Sequence, residues 1–468
     1  MEERKNPQRR APRPKTKFEI FKEEKLPLVI AAAAGVLILI FIIGSISNAV
    51  QRNRIEKEQE AAEMHQLEQE RKALDALVKE NLPKAELAAK QYDYDTAIAL
   101  LEPFQDHTED YPAVASALRQ YQAEKESLVA WDDPGLIPNL SFQMLIADPQ
   151  AAFSDEDYGS AFNKNYVTTG EFTAILEQLY QNGYVLVGLE DVYTKSATED
   201  GAAAYMAGTI YLPEGKKPLM LTQTNVNYDQ YLVDKNKDGD LTDGRGFAAK
   251  LMIENGKAVN QLTDRSGNTV TGAYDLIPIL ENFVAAHPDF SYRGAKAVIA
   301  VSGHEGLFGY RTNDKKAENY YSEVNQAATV AQWLRENGYQ LACYTYANTA
   351  YGGKPVSEIR ADLEKWDAEV TAILGETDIL VFAQRSDIQS DTGAYAGGPF
   401  EILMDNGFRY YLGICNSGSP WSRAATQYVR QGRIMVAGAT LANHSSWFGG
   451  MFDASSVLDS SRGTVPNW

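Results

Sequence analysis

The stretch LTQTNVNYDQ (residues 221–230) follows Lys217-Pro218-Leu219-Met220 and decides how the chain reads. Apolar residues lead into Gln223, Thr224, Asn225 and Asn227, which predicts a short buried strand opening onto a polar tip. Enzymes set bases and metal ligands at such tips, yet these four side chains hydrogen-bond without ionising. Other apolar runs flank this one: LSFQMLI (140–146), YVLVGL (184–189), AKAVIAV (295–301), YQLACYTY (339–346), TDILVFA (377–383) and FRYYLGI (408–414). Amphipathic segments lie between several of them. EFTAILEQLYQNGY (171–184) has Phe172, Ile175, Leu176 and Leu179 on one helical face and Gly183 as its cap, and further helices are predicted near 273–286, 317–337, 356–374 and 397–406. Strand–helix alternation with continuous apolar strands predicts a largely parallel sheet covered on both faces, whether open or closed into a barrel. Either closure puts chemistry at the C-terminal ends of the strands, where residues 221–230 fall.

At 468 residues the chain needs two or more regions, and 44% hydrophobic content is ample for a core. A net charge of −19 excludes nucleic acid as a partner, because phosphate binding needs a basic surface. The charge is uneven. Residues 1–25 carry Arg4, Lys5, Arg9, Arg10, Arg13, Lys15, Lys17, Lys22 and Lys25, and no charged residue follows until Arg52. LPLVIAAAAGVLILIFIIGSIS (26–47) has the length and composition of a bilayer-spanning helix. It is longer than a signal-peptide core and lacks a small-x-small cleavage site, which predicts an uncleaved anchor. The expected topology is a single-pass membrane protein with a cytoplasmic basic tail (1–25) and an extracellular C-terminal domain.

Residues 48–130 read as a helical stalk. Met64, Leu67, Leu74 and Leu77 form a narrow apolar stripe, and AELAAKQYDYDTAIALLEPF (85–104) resembles one tetratricopeptide-type hairpin. A lone repeat buries no solenoid core, so a plain helical spacer is expected there, with a protein-partner adaptor as the rival reading. WDDPGLIP (131–138) ends the helical pattern and sets the domain boundary at 132. Cys343 and Cys415 are the two cysteines, expected as separately buried thiols rather than a bridge.

From about Ile137 onward the chain resembles polysaccharide deacetylase (NodB-like) domains of membrane-anchored Gram-positive proteins. The resemblance rests on IPNLSFQMLIADPQAAF, YVTTGEFTAILEQLYQNGYVLVGLEDV, LPEGKKPLMLTQTNVNY, YDLIPILENFVAAHPDFSYRGAKAVIAVSG, GLFGYRT, WLRENGYQLACYTYANT and FDASSVLDSSRG, in that order. It implies an α/β fold, a distorted (β/α) barrel, for residues 132–468. It also implies metal-assisted removal of acetyl groups from amino-sugar polymers. The family's paired aspartates, base then metal ligand, match Thr224 and Asn225. Its two metal-binding histidines match Tyr344 and Asn348. Its Pro-aromatic-Gly motif reads Ala383-Gln384-Arg385, and a histidine usual in the first strand is Gln143. Neutral Asn, Thr and Tyr oxygens bind zinc poorly, and threonine is no base near neutral pH.

Losing base, carboxylate and both imidazoles together implies that the site has been dismantled or rebuilt. The expected function is a deacetylase-like protein without activity, whose Gln143, Gln223, Thr224, Asn225, Tyr344, Asn348, Gln384 and Arg385 bind cell-wall polysaccharide or peptidoglycan. An active carbohydrate deacetylase with a rebuilt site is the alternative, as is a pocket whose polar groups satisfy one another. No cofactor is expected, and zinc is disfavoured. DKNKDGDLTDGR (234–245) resembles a calcium loop through Asp234, Asn236, Asp238 and Asp240, but Arg245 stands where the bidentate acid belongs, and a polar hairpin turn competes. His304 and Glu305 in SGHEGLFGYR offer a rebuilt acid/base pair. His444 falls near a late family motif with different spacing.

Overall fold

The computed structural model describes residues 26–131, 133–197 and 203–468. The basic tail 1–25 lies outside the described residues. The chain divides into two compact units, Met1–Glu80 and Asn81–Trp468.

Helix α1 (Leu26–Lys90) provides everything described in the first unit. Its apolar residues face outward on every side: Leu37, Ile38, Leu39, Ile40 and Phe41 are 58–77% exposed. A helix apolar all round needs an apolar surrounding, and α1 is long and apolar enough to cross a membrane. Beyond Val50 the sequence turns to Glu, Gln and Lys, with i,i+4 contacts such as Lys72 to Glu68 at 2.7 Å.

The second unit begins with the end of α1, helix α2 (Tyr94–Leu101) and helix α3 (Pro112–Glu126). Ala85, Ala89, Ala97, Leu101, Phe104, Val114 and Leu118 are buried between them. The hairpin is fastened to the following residues. Tyr92 Oη donates to Asp289 O at 2.9 Å, and Arg293 N donates to Gln91 O at 2.8 Å.

The core strands in chain order are β1 (Asn139–Phe142), β2 (Tyr184–Leu186), β3 (Lys217–Thr224), β4 (Lys250–Glu254), β5 (Lys257–Thr263), β6 (Thr269–Gly272), β7 (Ala297–Val301), β8 (Gln340–Cys343), β9 (Ile379–Val381), β10 (Tyr410–Cys415), β11 (Ser422–Ala425) and β12 (Tyr428–Met435). Seven of them close a parallel barrel in the order β3-β7-β8-β9-β10-β12-β1, and β1 pairs back with β3. The fold is thus the distorted (β/α) barrel expected. β2 pairs with the first residues of β3, and β11 lies antiparallel on β12. Around the barrel run α4 (Thr169–Gln181), α5 (Leu276–Ala286), α6 (Tyr320–Glu336), α7 (Val356–Trp366) and α8 (Gly398–Asp405). Thr168 and Glu171 form a capping box at the start of α4, and Gly183 (φ 80°) ends it.

Two parts of the fold have no counterpart in the apolar pattern. Strand β12 (YVRQGRIM) is buried along its whole length although it carries Arg430, Gln431 and Arg433. The antiparallel sheet β4–β5–β6 is inserted between β3 and α5. Inside the barrel, polar side chains link the strands that close it. Thr222 Oγ1 donates to Asn139 Oδ1 at 2.8 Å, and Asn139 Nδ2 donates to Gln431 Oε1 at 2.9 Å. Arg433 donates to Ser141 Oγ, Gly413 O and Phe382 O at 2.8, 3.1 and 3.2 Å. Cys343 and Cys415 are buried free thiols.

The last residues of the chain are held by a buried ion pair. Arg462 contacts both oxygens of Glu171, at 2.5 and 2.7 Å, and also donates to Asn163 O and Tyr166 O. Both side chains are almost fully buried. Arg462→Ala leaves the Glu171 carboxylate buried without its partner, so unfolding by denaturant is expected to show a loss of roughly 3–5 kcal/mol.

Asp275, which caps α5, is fully buried. It accepts from Leu145 N, Leu276 N, Gln223 Nε2 and Tyr228 Oη. Burial pushes its carboxyl up to about 6 despite these donors. Between 3.8, its ordinary value, and about 6, the folded chain therefore binds more protons than the unfolded chain. Stability contributed by Asp275 is expected to fall as pH rises through that window, and Asp275→Asn to flatten the slope in melts between about pH 4 and about pH 7.

Candidate functional site

Barrel closure brings the C-terminal strand ends to one mouth, where a cavity of about 650 Å³ opens. Gln143 reaches it from the end of β1, Thr224 and Asn225 from β3, and Tyr344 and Asn348 from the loop after β8. Gln384 and Arg385 reach it after β9, and Arg433 from β12. Seven of the eight expected ligand-binding residues thus line one pocket. Gln223 does not. Its Nε2 donates to Asp275 Oδ1 at 2.7 Å, and its buried Oε1 has no hydrogen-bond partner among the described residues.

The polar tip divides its work. Thr224 Oγ1 donates to Phe142 O at 3.2 Å, which ties β3 to β1. Asn227 clamps the loop after β7: its Nδ2 donates to Ser302 O at 2.6 Å and His304 O at 3.1 Å, and its Oδ1 accepts from Ser302 N at 3.0 Å. Asn225 lines the cavity and keeps an unpartnered acceptor. Its Nδ2 donates to Asp229 Oδ2 at 3.2 Å, while its Oδ1 has no hydrogen-bond partner among the described residues. The same holds for Asn348 Oδ1 and Asp229 Oδ1. A buried acceptor without a donor forfeits about 1–3 kcal/mol.

The backbone at the mouth is strained. Asn225, Glu305, Thr345, Asn348, Gln384 and Arg385 all have φ between 50° and 63°, six of the twelve such non-glycine residues described. For β-branched Thr345 this region is especially costly, and strain of this kind concentrates where loops must present particular atoms. Gly306 (φ 96°) has no room for a side chain, because a Cβ would lie 2.0 Å from Tyr310 O.

The pocket has a cationic side and an anionic side. Arg433 is fully buried, and no carboxylate pairs with it among the described residues. Burial pushes its guanidinium down to about 10. Arg385 stacks on Trp468, its Cζ 4.0 Å from the ring centroid. Across the mouth Asp229 is buried, with Oδ1 3.6 Å from His304 Nδ1. Burial raises the Asp229 carboxyl, opposed by Asn225 and His304.

The motif positions themselves are neutral, yet a carboxylate and an imidazole meet at the mouth: Asp229 beside His304, the latter one of the two residues the sequence offered for a rebuilt pair. Asp229 was visible in the sequence, but only the left-handed turns at Asn225 and Tyr228 bring it back to the strand end. Tyr166 and Tyr231, which also line the cavity, carried no sequence signal, and neither did Arg433.

The remaining candidates lie elsewhere. His444 stacks on Trp447, ring centroids 4.5 Å apart, and does not line the cavity. In the calcium-like loop, Asp234 accepts from Asp238 N and Gly239 N, Asp240 accepts from Thr242 N, and Asn236 donates to Asp243. Arg245 turns inward to Asp155 at 3.1 Å. The loop thus satisfies its own carboxylates.

No family model matches the chain, and no curated protein matches it. Among solved structures it is similar to the Streptococcus pyogenes deacetylase PplD, in complex with acetate. Identity is 13%, the match covers 64% of this chain and 92% of that chain, and the TM-score is 0.33.

Proposed function

We propose that this chain is a membrane-anchored, extracellular protein of deacetylase-like fold whose barrel pocket binds cell-wall glycan without hydrolysing it. The observation that carries this reading is the pair of buried, unpartnered acceptors, Asn225 Oδ1 and Asn348 Oδ1, facing one cavity. These positions answer to a metal ligand and an imidazole in the resemblance, and here they call for hydrogen donors. Sugar hydroxyls and the N–H of an acetamido group are such donors. Tyr166, Tyr231 and Tyr344 supply flat faces beside them, and the cavity is large enough for about one or two sugar rings. The apolar helix and the nine Lys/Arg of residues 1–25 before it support an extracellular barrel through the positive-inside rule.

One observation favours a second reading, hydrolysis. The His304 imidazole beside buried Asp229 has the partner that a general base needs.

Isothermal titration of the full chain in detergent with acetylated chitooligosaccharide and with soluble peptidoglycan fragments tests the first reading. Saturable binding without acetate release is expected. Asn225→Leu and Asn348→Leu should each weaken binding about tenfold, the equivalent of about 1.4 kcal/mol. Absence of binding to both glycans overturns the proposal, and acetate release abolished by His304→Gln replaces it with the second reading.

A further inference from the structure

Asp229, His304 and Glu305 each offer one ligand atom, and these atoms all lie within 4.8 Å of one another. Among the described residues they are the one group of three such side chains that converges so closely. Two independently anchored loops bring them together. Asp229 returns toward the end of β3 through the left-handed residues Asn225 and Tyr228. The loop after β7 is clamped by Asn227, and Arg311 holds both loops by donating to Glu305 O and Tyr228 O at 2.9 Å each. Such anchoring fixes side chains before any ligand arrives.

A second observation points to a ligand. Asp229 is 5% exposed, yet its Oδ1 accepts no hydrogen bond, and the neighbouring Asn225 Oδ1 is unpartnered as well. Two unmet oxygens beside an imidazole nitrogen can accept a cation. Among the described residues no N–H reaches them: Arg311 directs its donors to backbone carbonyls, His304 Nδ1 stops 3.6 Å from Asp229 Oδ1, and Lys237 Nζ stands 3.4 Å from Glu305 on a half-exposed side chain that solvent can reclaim. Gln230 N occupies Glu305 Oε2 at 2.6 Å, which orients that carboxylate and leaves Oε1 with Lys237 as its contact. One imidazole nitrogen with two carboxylate oxygens suits a borderline first-row dication. Calcium and magnesium prefer oxygen alone.

We propose that Asp229, His304 and Glu305 form a site for a first-row divalent cation such as zinc or manganese, at the pocket mouth. The site uses none of the positions that the deacetylase resemblance marks. His304 lines the cavity and is exposed, so the cation would keep an open face toward whatever occupies the pocket.

The test needs no glycan, so its outcome is independent of the binding proposal. Full chain in detergent, stripped with chelator, is dialysed against zinc or manganese and the bound metal counted by elemental analysis. About one ion per chain is expected. His304→Gln changes an exposed side chain that the fold does not need, and it should weaken binding roughly 10- to 100-fold. Asp240→Asn, in the separate acidic loop, should leave binding unchanged. Absence of a stoichiometric ion overturns the proposal. So does an ion bound as tightly after His304→Gln as before it, or one that is lost with Asp240→Asn alone.

Discussion

The barrel closes around a buried arginine. Arg433 on β12 reaches Ser141 on β1, Gly413 on β10 and Phe382 just beyond β9, so one guanidinium fastens four staves from inside. A planar fork with five donors can satisfy carbonyls on several strands at once, which no apolar side chain does. The cost is a charge taken out of water without a direct ion pair among the described residues. Asn139, Thr222 and Gln431 continue the same polar row across β1, β3 and β12. The wall of the barrel between β12 and β3 is therefore held by side-chain hydrogen bonds as well as by its backbone ladder.

This construction fixes the register of the strand ends and hence the pocket. With the register set, residues just past β1, β3, β8 and β9 must meet at one mouth, and left-handed turns then aim individual atoms inward. Asn225 and Asn348 present acceptors in this way, both from backbone conformations in which asparagine is among the most tolerant residues. Asn227, only two residues beyond Asn225, does the opposite work and turns all its hydrogen-bonding capacity onto the loop after β7.

The legibility of the sequence follows from the same physics. Strands buried by apolar packing, such as β3, β7 and β8, stand out as apolar runs, and seven strand segments could be placed from them. Strand β12 could not, because it is buried through hydrogen bonds: Arg430 meets Asp387 and Tyr395, Gln431 meets Asn139, and Arg433 meets carbonyls. A pattern of apolar residues has no symbol for that. Site residues at strand ends were readable, since strand position alone brings them together. Asp229 and Arg433 were not, the first because its place depends on two left-handed turns and the second because its strand was hidden. His444 shows the converse case. Proximity in sequence to a family motif did not bring its side chain to the pocket.

The arginine also bears on why the motif positions are neutral. Tyr344 stands where the resemblance places an imidazole, and it lines the same cavity as the fully buried Arg433. A dication held at Tyr344 would face that guanidinium in a poorly solvated pocket, where like charges repel far more strongly than in water. Arginine on β12 and histidine at 344 are thus poorly compatible, and a neutral tyrosine resolves the conflict. The titratable groups that converge on Asp229 are different ones, His304 and Glu305. The pocket lining therefore holds a buried guanidinium from β12 together with a carboxylate and an imidazole from the loops after β3 and β7, so ionising groups remain at the mouth although the strand-end positions themselves are neutral.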